Sequence, residues 1–317
     1  MEKEIGGYLE LDTYDLPLLH HQALALNCGR NCLAYLIKAK EIRKIVLPFF
    51  LCDCVEETCR KENVDVEYYH IGMDLKPSEM TLEEDQWLFV VNYYGQLDNA
   101  YLKLLKDKYK RVIVDNTEAY FQMPVPETDT LYTCRKFFGV ADGGFLYTDA
   151  RPDIPLEQDV SFERVRYLLG RYERTASEFY AESAENNDFF AGEPIKKMSK
   201  LTRNLLHGIN YEKVRQKRVE NFAFLHDALG SQNKLALTIP DGAFMYPLYI
   251  ENGAEIRTYL QGKKIYIPTL WPDVFDHCAD KDLEYDLARN ILPLPVDQRY
   301  GMEDMRRIVR EVKQCIG

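Results

Sequence analysis

Residues 131–149 read LYTCRKFFGVADGGFLYTD. Lys136 follows the hydroxyl of Thr133 by three positions, and a turn built from Gly139, Asp142, Gly143 and Gly144 leads into the apolar strand Phe145 to Tyr147. A lysine set between apolar and aromatic neighbours at a strand-to-turn junction is unusual, because desolvating an ammonium costs several kcal/mol unless it is paired or neutralised. One resolution is an imine, in which the amine is held as the Schiff base of an aldehyde. The other is a solvated lysine beside a hairpin, the commoner fate of lysine side chains. The flanking chain has to separate the two.

Outward from this stretch, the sequence alternates between strands and helices. His21 to Leu26 reads as a short strand that passes through Asn27-Cys28-Gly29-Arg30-Asn31 into a helix over Cys32 to Lys40. A strand, a glycine turn and a helix start present free backbone N–H groups to an anion, although glycine is also ordinary punctuation there. Lys44 to Phe50 is a buried-type strand, Val55 to Glu62 a helix, and Val64 to His70 an alternating strand. Trp87 to Tyr93 is continuously apolar, Asn99 to Lys110 helical, and Arg111 to Val114 a further core strand. Strands apolar throughout and separated by helices imply a mainly parallel sheet covered on both faces. Ligands bind such sheets beyond the carboxyl ends of the strands, where Asn27 to Asn31, Asn92 to Gln96 and Asp115 to Glu118 all fall. Asp115, at the exit of a buried strand, suits either a turn cap or the partner of a cation such as a protonated pyridine nitrogen.

Composition narrows the function. With 40 basic and 51 acidic residues the chain carries a formal charge of −11, and no basic run marks a nucleic-acid partner. GxGxxG and Walker motifs are absent from the sequence, which counts against dinucleotides and ATP. The longest apolar run, Ile45 to Cys52, is too short for a bilayer and holds a proline, so no membrane role is expected. MEKEIGG is polar and acidic, unlike a secretory leader, which makes cytoplasmic the expected location. The eight cysteines form no CxxC pair and the histidines no ligand spacing, so free thiols, mostly buried, are expected rather than a metal site. Beyond Asp149, long helical stretches are expected over Glu163 to Ser183 and Tyr211 to Leu229, with an exposed loop over Asn186 to Pro194 between them. Strands over Ala243 to Ile250 and Lys264 to Pro268, a helix near Ala254 to Gln261 and a last helix over Met302 to Cys315 suggest a small α+β unit. The expected domains are therefore 1–205 and 206–317.

Several segments in this order resemble the DegT/DnrJ/EryC1/StrS family of pyridoxal phosphate (PLP)-dependent sugar aminotransferases. Asn27-Cys28-Gly29-Arg30-Asn31 with Leu33 is similar to the family's Ser-Gly-Thr-x-Ala-Leu phosphate turn, and Val91 to Gln96 to its Val-His-Leu-Tyr-Gly-Gln segment. Val114 to Ala119 resembles Glu-Asp-x-Ala-Gln/His-Ala, and Lys136 followed by Asp142-Gly143-Gly144 resembles the lysine with its Gly-Glu-Gly-Gly spacing. Lys197-Met198-Ser199 and Leu292 to Tyr300 are similar to the family's Arg-Met-Ser and Leu-Pro-Leu-Pro segments.

The resemblance covers nearly the whole chain. It implies a fold-type I α/β architecture, with a mainly parallel seven-stranded-type sheet between helices and a smaller C-terminal α+β domain. It implies PLP as cofactor, with Lys136 and Asp115 catalytic, and Gly29, Arg30, Asn31, Asp115, Glu118, Thr133 and Lys136 holding the cofactor. By the same resemblance, glutamate as amino donor, a keto-sugar nucleotide acceptor and a homodimer are the implied partners. Elimination chemistry on the same fold, and a non-catalytic binding or assembly module, are the alternatives. Retention of Lys136 counts against the family's dehydratase branch, which carries histidine there; the short chain and Ile195, at the position of a phosphate-binding asparagine, point towards the module.

Overall fold

The computed structural model describes residues 5–316 apart from Asp153. Seven strands form the central sheet: β1 (Leu24–Leu26), β2 (Lys44–Pro48), β3 (Asp65–Tyr69), β4 (Gln86–Val91), β5 (Val112–Asp115), β6 (Asp129–Thr133) and β7 (Gly144–Tyr147). Their spatial order is β1-β7-β6-β5-β4-β2-β3. β2 to β6 run parallel, whereas β7 lies antiparallel between β6 and β1. Buried Val, Ile and Leu on β2, β4 and β5 explain the arrangement, because strands covered on both faces need apolar residues at every position. The cover comes from α1 (Gly29–Ala39), α2 (Asp53–Lys61) and α3 (Asn99–Tyr109), whose buried residues include Leu33, Leu36, Val55, Leu102 and Leu105.

Register then gathers the polar residues. Val91 pairs with Asp115, Asp115 with Leu131, Thr133 with Gly144 and Gly144 with Leu26. The exits of β4, β5, β6 and β1 and the entry of β7 thus share one edge. Gly144 is required there: a Cβ would sit 2.8 Å from the Cys28 carbonyl carbon and 2.9 Å from the Cys32 sulfur. Gly143 before it has φ +112°, open to glycine and strained for other residues.

After β7 come α4 (Arg166–Glu173), α5 (Tyr180–Phe189), α6 (Lys200–His207) and α7 (Tyr211–Leu229). The continuous helical stretch expected over 163–183 is interrupted, since Arg174 leaves helical geometry at φ −131° and ψ −119°. The loop expected from Asn186 is also shorter than the sequence suggests. α5 runs to Phe189, and buried Asn186 donates from Nδ2 to the Ala141 carbonyl at 2.9 Å.

The remainder contains β8 (Met245–Tyr249), α8 (Gly253–Gly262), α9 (Val274–His277), α10 (Leu283–Asn290), β9 (Ile291–Pro295) and α11 (Met302–Ile316). β8 and β9 pair antiparallel and share an apolar cluster with Phe222, Leu225, Leu260, Ile308 and Val312. Lys264 to Pro268 is not a strand. Ile265 and Ile267 point inward as alternation requires, but β9 is the partner of β8 and Lys264 adopts φ +58°. Periodicity fixed which side chains face inward there, not whether a ladder forms.

Candidate active site

Lys136 leaves β6 through a tight turn in which the Phe137 and Phe138 amides both donate to the Cys134 carbonyl. This swings its side chain across the sheet edge, where Nζ donates to Glu118 Oε1 at 3.2 Å and stands 5.1 Å from the centroid of the Phe244 ring. One third of the lysine side chain is exposed, whereas Glu118 is fully buried. Burial works against the ammonium, but the charges of Glu118 and Asp115 outweigh it and hold the Lys136 pKa above its ordinary value. The second Glu118 oxygen accepts the Tyr94 amide at 3.1 Å, and Tyr94 reaches it from a left-handed backbone, φ +53°. Glu118 therefore has a structural bond on one oxygen and the lysine on the other.

Asp115 ends β5 and is 6% exposed. Its Oδ1 accepts the Thr117 amide at 2.8 Å, the turn cap that the sequence allowed. Beyond this bond, the Thr117 hydroxyl is the one side-chain donor among the described residues near enough to favour the charged carboxylate. Burial raises the Asp115 pKa, while the Lys136 charge and Thr117 pull it back. A cationic N–H placed against the carboxylate would reverse that penalty, because an opposite charge favours the ionised form.

The glycine turn lies beside these groups. Gly29 opens α1, and a Cβ on it would meet Thr133 Cβ at 3.6 Å and Thr117 Cγ2 at 3.7 Å. The start of α1 thus lies against a pair of threonines, and the first amides of a helix are groups that can receive an anion. Asn31 contributes differently from its neighbours. Its side chain is committed to Asn27 Oδ1 at 2.9 Å and to the Pro194 carbonyl at 2.9 Å, leaving only its backbone toward the turn. These bonds dock residues 193–197 against the turn, where Lys196 pairs with Glu193 at 2.6 Å.

Arg135 is the residue that sequence reasoning passed over. It stacks 4.7 Å from the Phe190 ring, bonds Asn187 through one terminal nitrogen, and leaves Nε buried without a partner. Burial lowers its pKa, and the charge of Arg30 acts in the same direction. Among the described residues neither arginine has a carboxylate partner. Two cations beside a helix start, one with a buried orphan N–H, make a basin for an anion. Adjacency to Lys136 was the available signal; the burial of Arg135 comes from α5, far along the chain.

No family model matches the chain, and no curated protein matches it. Solved structures match over nearly its full length. DesV from S. venezuelae superimposes with a TM-score of 0.67 at 16% identity, over 92% of this chain and 84% of DesV. NtdA from Bacillus subtilis, solved with bound cofactor PMP, gives 0.66 at 13% identity, over 95% and 78%. DesI, solved in the presence of its TDP-sugar product, gives 0.65 at 13%, over 92% and 80%. A DegT DnrJ EryC1 StrS aminotransferase is among the other matches. The chain has the fold of these PLP-dependent sugar aminotransferases.

Proposed function

We propose that this chain is a PLP-dependent aminotransferase that moves an amino group, from glutamate, onto a keto-sugar nucleotide. The observation that carries the reading is the meeting of Lys136, Asp115 and Glu118 at one strand edge, beside the Gly29 turn and two arginines that have no carboxylate partner among the described residues. These residues fit the cofactor. Arg30, the Arg135 Nε, Thr133 and the α1 amides suit its phosphate, and the Asp115 carboxylate suits its ring nitrogen. When bound, PLP supplies an aldehyde for the lysine and a protonated ring that accepts electron density from the amino-bearing carbon.

The protein's own residues do the rest. With the group bound, Asp115 would face the ring nitrogen as an ionised carboxylate and favour its protonated form. Lys136 Nζ would hold the aldehyde and would serve as the base that moves a proton at the reacting carbon. Glu118 accepts the lysine's charge whenever Nζ is protonated, and its bond to the Tyr94 amide keeps it from following the substrate. Phe244 covers the lysine from the C-terminal part of the chain. In this reading residues 206–317 form a smaller domain packed on the large one.

A second copy of the chain completes the assembly in this reading. Tyr172 is 92% exposed, Tyr180 74%, Phe162 66% and Leu169 63%, and the extended N-terminal residues Ile5, Tyr8 and Leu9 are more than 90% exposed. Exposed apolar side chains of this kind support a contact with a second copy. Among the described residues no helix is long and apolar enough to cross a membrane; a cytoplasmic place in amino-sugar or surface-polysaccharide synthesis belongs to the same proposal. The test incubates purified protein and PLP with glutamate and a panel of keto-sugar nucleotides. Formation of 2-oxoglutarate matched by an aminated sugar nucleotide supports the reading. Ammonia release without amino transfer would point to elimination chemistry, and a protein that takes up no PLP to the binding module.

A further inference from the structure

Cys52 and Cys54 flank the first residue of α2, with their sulfurs 3.0 Å apart. On a strand, this spacing would merely place them on one face; at a helix entry it turns them toward each other. Both thiols are half-buried, whereas Cys28, Cys32, Cys59 and Cys134 are buried. Cys52 donates its S–H to the Cys54 sulfur, with Asp53 Oδ1 a second acceptor at 3.3 Å. That bond, then the charges of Arg30 and Lys136, hold the Cys54 thiol below its ordinary range against burial and Asp53, and the same bond raises Cys52. The second position of a nine-residue helix adds the favourable end of its dipole.

We propose that Cys52 and Cys54 form a peroxide-reactive dithiol site that closes to a reversible intramolecular disulfide. The Cys54 thiolate attacks one oxygen of a hydroperoxide; the S–O bond forms, the O–O bond breaks and the departing oxygen takes a proton from water. The Cys52 sulfur then attacks the sulfenic sulfur; the S–S bond forms, the S–O bond breaks, and the Cys52 proton leaves with the oxygen as water. Two thiols lose two electrons in total, and the hydroperoxide gains them. Reach is adequate, since two residue steps span at most about 7 Å, less at a bend, against the roughly 4.4–6.8 Å between Cα atoms that disulfides use. A metal ion is the poorer occupant. The ligand atoms of Cys52, Asp53 and Cys54 lie within 4.8 Å of one another, but Arg30 and Lys136 put positive charge on the same sulfurs.

The site rests on thiol geometry, and because Arg30 and Lys136 also serve PLP in the proposed function, the test is run both with and without added PLP. The test treats the reduced full-length protein with equimolar hydrogen peroxide, alkylates with maleimide and maps the peptides by mass. The expected product is a peptide spanning Cys52 and Cys54 that is lighter by two hydrogens, resists maleimide and regains both thiols with a reductant. Before oxidation, Cys54 should alkylate at least about tenfold faster than Cys278, whose thiol burial and acidic neighbours push up to about 11. Cys52→Ser should leave a sulfenic acid on Cys54 that dimedone traps, and Cys54→Ser should abolish the fast reaction. Equal labelling of Cys54 and Cys278, or two free thiols after peroxide in the wild-type protein, would overturn the proposal.

Discussion

Lys136 and Arg218 are both cations held inside the protein, in opposite surroundings. Arg218, on α7, is 1% exposed and faces oxygens on every side: Gln298 Oε1 at 2.9 Å, the Ala243 carbonyl at 2.9 Å, and the Phe244 and Phe137 carbonyls at 3.3 Å. Burial lowers it to about 10 despite the charge of Asp297. Lys136 keeps a third of its side chain open and sits against two carboxylates. The difference teaches that burial of a charge does not by itself mark chemistry. Arg218 spends its donors on holding together the turn after Lys136 and the strand entry that carries Phe244; Lys136 has capacity left for a ligand.

The largest effect expected from breaking this contrast is on Lys136. Lys136→Ala should lower amino transfer by at least about a thousandfold, while the thermal midpoint moves by only a few degrees. Arg218→Met should do the reverse. It removes a donor from the Ala243, Phe244 and Phe137 carbonyls, of which Phe137 keeps another, Gln298 Nε2 at 2.8 Å, and should cost about 3 kcal/mol in denaturant unfolding, with residual activity proportional to the folded fraction.

His20, which packs on Tyr120, provides a third buried group for comparison. It is fully buried, bonds the Tyr120 carbonyl at 2.8 Å and Tyr147 Oη at 3.1 Å, and burial lowers its pKa to about 4. A histidine kept neutral by folding contributes its stability above the unfolded value near 6.5, and that stability is lost as pH falls through the folded value. Between pH 6.5 and 4 the protein should therefore lose about 2–3 kcal/mol through this group. His20→Gln should flatten that part of the stability–pH curve.

The smallest effect sharpens the description of Lys136 itself. Glu118→Gln removes its closest counter-ion and should reduce activity about tenfold, or about 1.4 kcal/mol. A lysine whose folded pKa is raised contributes stability below the usual lysine range and loses it as pH rises through the folded value. Losing Glu118 lowers that value, so the alkaline loss of stability, which begins at the unfolded lysine value in both proteins, should be smaller and finish at lower pH in the variant, as measured by denaturation midpoints across an alkaline series.

Much of this contrast was written in local sequence. Continuous apolar runs reported β2, β4 and β5, and the strand-end positions of Asp115, Glu118 and Gly29 followed from them. Lys136 stood out because of its neighbours in the chain. What escaped was set by distant contacts. Arg135 looks like any arginine until Phe190 and Asn187 bury it, and Asn31 turns away from the glycine turn because residues 193–194 supply carbonyls. Lys264 to Pro268 alternates like a strand, yet β9 is paired with β8 in its place. The dithiol was visible as Cys-Asp-Cys, but its meaning depends on a helix starting at Asp53 and on two cations from other elements.

The most direct test of the central claim adds PLP to the purified protein, reduces with borohydride and locates the label by peptide mass. The account predicts one stoichiometric pyridoxyl group on Lys136, absent in Lys136→Ala and sharply weakened in Asp115→Asn. Labelling spread over exposed lysines, or persisting unchanged without Lys136, would contradict it.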